Sequence, residues 1–243
     1  MNILKITTKK HFREGIFIFI SVLGAFALES YRESILKINL KDKLLKQLTV
    51  MIAEDISQLN DVHKKLDLTL DSAGILIDDF LSKDQKLNQE VLAKKFSDLR
   101  FMNLSFFPQY GIYNQLLTSN GLENIKDEKL KKELVYLYEN LLKRIQAADP
   151  VLDEMRWKTY LNLSSQIVVF SSNSEPKQKQ VSDFPQFEHK VDYFYISEDY
   201  YDSMDVLNFY NQITLYINQY KTGLNNVESA LQSALLLIEY ELN

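Results

Sequence analysis

Along the first third of the chain, apolar residues return every seventh position. Ile38, Leu45, Ile52, Leu59, Leu66 and Ala73 form one row, and Leu48, Val62 and Leu76 form a second beside it. Ile56, Leu70 and Ile77 widen the stripe, while Lys41, Asp55 and Thr69 interrupt it. A 3.5-residue spacing is that of a helix packed along its length against other helices. No Pro or Gly falls between Ser30 and Ala73, so the pattern predicts one unbroken helix to about Leu81, with Gly74 as a soft point.

The pattern shifts but stays helical further on. Residues 84–101 carry Leu87, Val91, Leu92, Phe96 and Leu99 at helical spacing, and Pro108 breaks the run. A short helix through Tyr113, Leu116 and Leu117 is expected to stop at Asn120-Gly121. Asp127 reads as an N-cap, followed by Leu130, Leu134, Leu137, Leu141 and Ile145 on one face. That helix is expected to bend or restart at Pro150 and to reach about Val169. Residues 171–202 read as a long loop, polar at first and then crowded with Tyr193, Phe194, Tyr195, Tyr200 and Tyr201. A final helix, from Ser203 to about Leu242, carries Leu207, Tyr210, Ile213, Ile217, Val227, Leu231 and Leu235, with Gly223 as a candidate kink. The expected fold is all-α: an elongated antiparallel bundle over residues 32–243.

What precedes the bundle is of another kind. Gly15 to Leu28 contains no charge, and Ser21 is its only polar residue. As a helix it spans about 21 Å, against a hydrocarbon core of roughly 30 Å. A membrane span over 15–31 must therefore recruit its flanks. Phe12 and Tyr31 would be interfacial aromatics, Arg13 and Arg32 would snorkel outward, and Gly15, Ile16, Phe17, Phe19, Leu23, Gly24, Phe26 and Leu28 would face lipid. Three readings stand on these residues. The segment is an uncleaved anchor behind a basic tail (1–14), a signal peptide cut after Ala25-Phe26-Ala27, or a buried helix. The helical character of Leu28 to Arg32 favours the anchor, because signal peptidase requires an extended site. Lys5, Lys9, Lys10 and Arg13 before the span nearly balance Arg32, Lys37, Lys41 and Lys43 after it. The short tail and long acidic body suggest tail inside and body outside.

Two stretches carry a resemblance. "REGIFIFISVLGAFALESYRE…LLKQLTVMIAEDISQL" and residues 113–138, "YNQLLTSNGLENIKDEKLKKELVYLY", are similar to a bacterial family of unknown function common in Bacteroidota. The resemblance covers about half the chain and rests on a Glu-led apolar segment with a following polar-aromatic-basic flank. It implies a single-span envelope protein with an exported helical region, and no assigned chemistry. Leu28-Glu29-Ser30-Tyr31 departs from the amides and tryptophan usual there.

Composition narrows function mainly by exclusion. Only 6 Gly and 4 Pro in 243 residues suit long helices with few turns, and 0 Cys removes disulfides and thiolate chemistry. Residues 1–28 hold four basic residues against one acidic, so the net charge of −5 divides into +3 there and −8 on the remainder. Such a body repels phosphates, so no nucleic-acid partner is expected. Of the three histidines, His11, His63 and His189, His63 lies on the long helix with Glu54 and Asp61, but position 60 is Asn where a bundle metal site needs Glu. Glu188-His189 lacks a nucleophile and an oxyanion turn, and the acidic pairs Glu54-Asp55, Asp78-Asp79 and Glu198-Asp199 are common in a chain with 33 acidic residues. No catalytic, metal or cofactor site is expected. The tyrosine-rich segment is the candidate binding surface, with packing over the bundle end as its alternative. The expected function is non-enzymatic: an anchored helical protein that scaffolds or binds another envelope component. The alternatives are a ligand-sensing bundle with its pocket at 193–201 and an exported protein after signal cleavage. The partners implied are the membrane, an envelope protein and a second copy of the chain, since Ser21 and Ala25 offer a small-residue face.

Overall fold

The computed structural model describes the backbone of residues 3–82, 86–99, 105–163, 166–173 and 189–243, with the side chains of 3–13, 155–165, 173 and 189 left out of the description. Among the described residues the chain is all-α apart from one strand pair. Helix α1 runs from Ile3 to Leu81 without interruption, as expected of a stretch so poor in helix breakers. Gly74 does not break it.

Helix α7, Met204–Leu242, lies antiparallel along α1, and its contacts read like a ladder. Tyr201, just before it, meets Asp79; Lys221 meets Asp67; Glu228 approaches His63; Glu241 meets Lys41. Between these rungs Leu45, Leu48, Ile52, Leu59, Val62, Leu66, Ala73 and Leu76 are buried against Val206, Ile213, Ile217, Leu224, Val227, Leu231 and Ile238. Burying a Leu or Ile side chain stabilises by about 1.5–3 kcal/mol, so the heptad stripe is the main source of cohesion.

The remaining helices close the bundle. Helix α2, Gln89–Asp98, starts on an Asn88 cap that accepts the Val91 N–H. Helix α3, Gly111–Thr118, ends where Asn120 takes φ 55° and Gly121 N–H bonds to the Leu116 carbonyl at 2.8 Å. The helix stop expected at Asn120-Gly121 is thus shared. Asn120 adopts the left-handed turn, and Gly121 is needed because a Cβ there would lie 2.9 Å from Leu116 Cδ2. Helix α4, Glu128–Tyr136, begins on the expected Asp127 cap, which accepts from Lys129 N at 2.7 Å. It passes through a wide π turn, Leu137–Leu141, into α5, Leu142–Leu163, with Pro150 inside an otherwise continuous helix.

The expectation of a loop over 171–202, with helix up to Val169, is overturned at the described residues 167–173 and 189–201. Strand β1, Ile167–Asn173, pairs antiparallel with β2, His189–Ile196, and a short helix α6, Glu198–Tyr201, follows. The β-branched run Ile167-Val168-Val169 and the alternation in "VDYFYI" are strand signals that override the helical reading. Residues 174–188 and the side chain of His189 lie outside the described part, as does Glu188.

The bundle also starts later than the expected Arg32. Every described residue from Glu14 to Leu40 is exposed, and Lys41 is the first buried one. Residues 29–40 are therefore a bare helical stalk, about 18 Å long, between the apolar segment and the bundle.

Candidate functional site

Three features of the chain need a functional account, and they lie in sequence along one rod. The first is the apolar segment of α1. It is long and apolar enough to cross a membrane, and none of its apolar window is buried within the protein. That removes the buried-helix reading: Phe17, Phe19, Phe26 and Leu28 all stand uncovered. Ser21 Oγ donates to the Phe17 carbonyl at 2.8 Å, so the one polar group in the run is satisfied within its own helix. Of the expected anchor residues, Gly15, Ile16, Leu23, Gly24, Tyr31 and Arg32 share this exposed helix, while the side chains of Phe12 and Arg13 lie outside the description. Arg32 pairs with Glu29, one turn earlier in the helix, at 2.9 Å, which offsets the carboxylate at the bundle-side edge of the apolar run.

The second feature is the set of polar residues in the seam. Lys41, Asp55 and Thr69 were read as interruptions of the stripe; each is at most 2% exposed and each is partnered. Lys41 Nζ reaches Glu241 at 2.5 Å and Asp42 at 3.0 Å, and the Glu241 carboxylate also accepts the Lys126 and Asp127 backbone N–H groups. Burial pulls Lys41 down, but its bonds to Glu241 and Asp42 outweigh this and hold it above its ordinary value. Burial likewise acts to raise Glu241, and the donors from Lys41, Lys126 and Asp127 overcome it to leave the group low. One carboxylate thus binds the end of α7, the start of α4 and the middle of α1, where its packed half begins.

Asp55 is a different case. It accepts the Gln109 N–H, at 3.3 Å to each oxygen, while Glu54 takes the Gln109 side-chain amide and Gln58 takes the Phe107 N–H. Burial pushes its carboxyl up to about 7, and the Glu54 charge adds to the rise. Around it stand Tyr110, Tyr113 and Tyr138, with the Tyr113 and Tyr138 rings stacked 4.2 Å apart. Burial raises all three phenols, Tyr113 to about 12. Lower down, the Tyr220 hydroxyl accepts from Phe106 N at 3.0 Å and donates to Asp149 at 2.9 Å. The Thr69 hydroxyl lies 3.2 Å from the Asp98 carbonyl, and Ser72 donates to the Asp98 carboxylate. These groups strap the connections between helices onto α1 and α7. His63, expected on a solvated face, is instead half-buried at 3.8 Å from Glu228, and burial lowers its pKa. Among the described residues no three metal-ligating side chains converge.

The third feature is the hairpin, which packs on α2 near the far end of α1. Its register sets which aromatics are free. Ile167 faces Ile196, Val169 faces Phe194, and Ser171 faces Val191; Ile167 and Ile196 are buried, and Val169, Phe194 and Val191 pack against the core. Phe194 and Val191 are an odd number apart and would point to opposite faces of a regular strand. Asp192 is the extra residue of a bulge between them, and its carboxylate accepts the Ser172 N–H at 2.8 Å. The outward face is then Phe170 opposite Tyr193 and Val168 opposite Tyr195. Phe170 is 63% exposed, Tyr193 58% and Tyr195 50%.

The five aromatics singled out from the sequence do not form one pocket. Tyr193 and Tyr195 project outward, Phe194 faces inward, Tyr200 is half-buried, and Tyr201 belongs to the core. Tyr201 donates to Asp79 at 2.7 Å, Asp79 also accepts Leu87 N–H, and Phe96 packs edge-on against the Tyr201 ring. Phe170 was missed by sequence reasoning because its segment was taken as helix end and loop; the alternation across the two strands is the signal that finds it. Compared with known proteins, the chain matches no family model, no curated protein and no solved structure.

Proposed function

We propose that this chain is a single-pass, non-enzymatic membrane protein whose helical body stands off the lipid surface and presents the aromatic hairpin face to another component of the cell envelope. The observation that carries this reading is the continuity of α1: one helix is bare and apolar at one end and forms the spine of a packed bundle at the other. A stiff connection of that kind transmits position, not just attachment. Arg13 and Arg32 are separated along the helix by about 28 Å, close to the roughly 30 Å of a hydrocarbon core. The Glu29–Arg32 pair lets Glu29 approach the interface without an isolated charge. From Lys41 to Asp79 the body extends roughly 57 Å, so Phe170, Tyr193 and Tyr195 stand far from the bilayer. Exposed tyrosines at the tip suit protein or glycan recognition, since a ring contributes apolar area and its hydroxyl a directed bond.

In this reading the basic tail lies in the cytoplasm of a bacterium, the span in the inner membrane and the body in the periplasm. Fractionation with intact-mass analysis of the native protein tests it. A carbonate-resistant pellet holding the unprocessed chain is expected. A soluble product starting near Leu28 would replace the anchor by a signal peptide, and an unprocessed chain free in detergent-less buffer would end the membrane reading altogether.

A further inference from the structure

The stalk does not look like a mere spacer. Leu28, Tyr31, Ile35 and Ile38 are exposed although they lie at or beyond the end of the apolar run. They recur at alternating intervals of three and four residues, which is the spacing of a two-helix seam. At about 100° per residue they occupy a sector of roughly 80° on α1. Of the bundle-facing residues just below, Leu44 and Leu48 point roughly 120–160° away, whereas Leu45 continues the row of Ile38 into the bundle. A neighbour on the stalk stripe does not compete with α7 because α7 ends at Leu242, beside Lys41, where the stalk begins.

The same stripe continues upward in phase. Ser21 and Gly24 are the next positions at the same spacing, and an added Cβ at Gly24 would meet nothing within 4 Å. Inside lipid an apolar helix needs no particular face, and a small-residue face there permits close backbone approach. Below, the stripe reaches Asp42, a half-buried polar residue at the first turn of the bundle. No charged residue interrupts it between Ser21 and Ile38: Glu29, Arg32, Glu33 and Lys37 all lie off the stripe.

We propose that this stripe is the contact of a parallel homodimer, in which two copies of α1 pair from the outer half of the span through the stalk and part where their bundles begin. This rests on the anchored reading above. A second copy is the occupant because the shared anchor gives it the same height and direction, so that each stripe meets an identical one over its whole length. It also relieves a span only 14 uncharged residues long, since a short span is helped by neighbours.

The chain has 0 Cys, so single cysteines can be scanned without other changes. Full-length protein in bilayers, oxidised after Leu28→Cys, Tyr31→Cys, Ile35→Cys or Ile38→Cys, is expected to give disulfide-linked dimer several-fold above Glu33→Cys, Leu36→Cys or Leu40→Cys. The double variant Ile35→Lys, Ile38→Lys, on residues outside the bundle, is expected to turn two-step photobleaching of labelled protein into one-step with an unchanged far-UV spectrum. Equal cross-linking at all positions, dimer confined to the off-stripe positions, or one-step bleaching of the unaltered chain would overturn the proposal, as would photo-cross-linking from the stripe to a different protein alone. The two readings fail separately. A chain that leaves the carbonate pellet yet still cross-links along the stripe refutes the anchor, and one that stays in the pellet without cross-linking refutes the dimer.

Discussion

Asp55→Asn tests the energetics of the seam most directly. The Asp55 side chain is 1% exposed, its donors all come from Gln109, whose backbone N–H reaches both oxygens at 3.3 Å, and the Glu54 charge adds to the cost of ionising it. Its carboxyl titrates at about 7 in the folded chain against 3.8 for the free group. The folded state therefore holds the proton more tightly than the unfolded state. Stability is full below pH 3.8, falls as pH rises, and levels off above about 7. At about 1.36 kcal/mol per tenfold change in proton affinity, the whole decline amounts to about 4 kcal/mol as a ceiling, of which about 3 kcal/mol falls between pH 5 and 8. Asparagine keeps an oxygen for the Gln109 N–H and cannot ionise. Guanidinium unfolding of the full chain in detergent, followed by far-UV circular dichroism at pH 5, 6, 7 and 8, should show the variant's stability relative to the parent rising by about 2–3 kcal/mol from pH 5 to pH 8. The other titrating groups are common to both chains and cancel in the comparison. Parallel stability curves across that range would refute the argument that burial, uncompensated by a cation, sets the state of Asp55.

Glu241→Gln should cost about 3–5 kcal/mol, because it leaves Lys41 buried beside a neutral amide; the same unfolding assay at pH 7 reads it. Because the Glu241 pKa is lowered, the parent's advantage over this variant should be present above the free-group value of 4.5 and shrink as pH falls through the lower folded value. Tyr201→Phe removes the donor to Asp79 at the far end of the bundle and should lower stability by about 1–3 kcal/mol, measured by thermal melting of the full chain. Tyr193→Ala with Tyr195→Ala touches only the outward face of the hairpin. It should change stability by no more than about 1 kcal/mol while reducing recovery of envelope partners in pull-downs from solubilised membranes; unchanged recovery would remove the hairpin from the binding surface.

The helices were legible in the sequence because their signals are local. A run without Pro or Gly, a 3.5-residue apolar spacing and the Asp127 cap each act within a few residues, and all three hold in the structure. The uncovered apolar run at 15–28 was equally plain, since a segment apolar all round cannot be satisfied by one neighbouring helix. The hairpin was not legible. The strands are joined through a connection long enough to hide their alternation, and the inward or outward sense of each aromatic turns on one bulged residue, Asp192.

By itself, then, the sequence determined that this protein is a rod of long helices with one bare apolar end. Those properties depend on spacing along the chain, which any helix expresses wherever it lies. Tertiary structure alone decided what the polar seam residues do, where the bundle begins and which tyrosines are free. Lys41 finds Glu241 200 positions away, Asp79 finds Tyr201 122 away, and the pairing of β1 with β2 puts Phe170 beside Tyr193 on the exposed face. The physical reason is range: helix formation is set by neighbours in sequence, whereas the burial and pairing of a charge or hydroxyl are set by whichever distant segment the packed core brings against it.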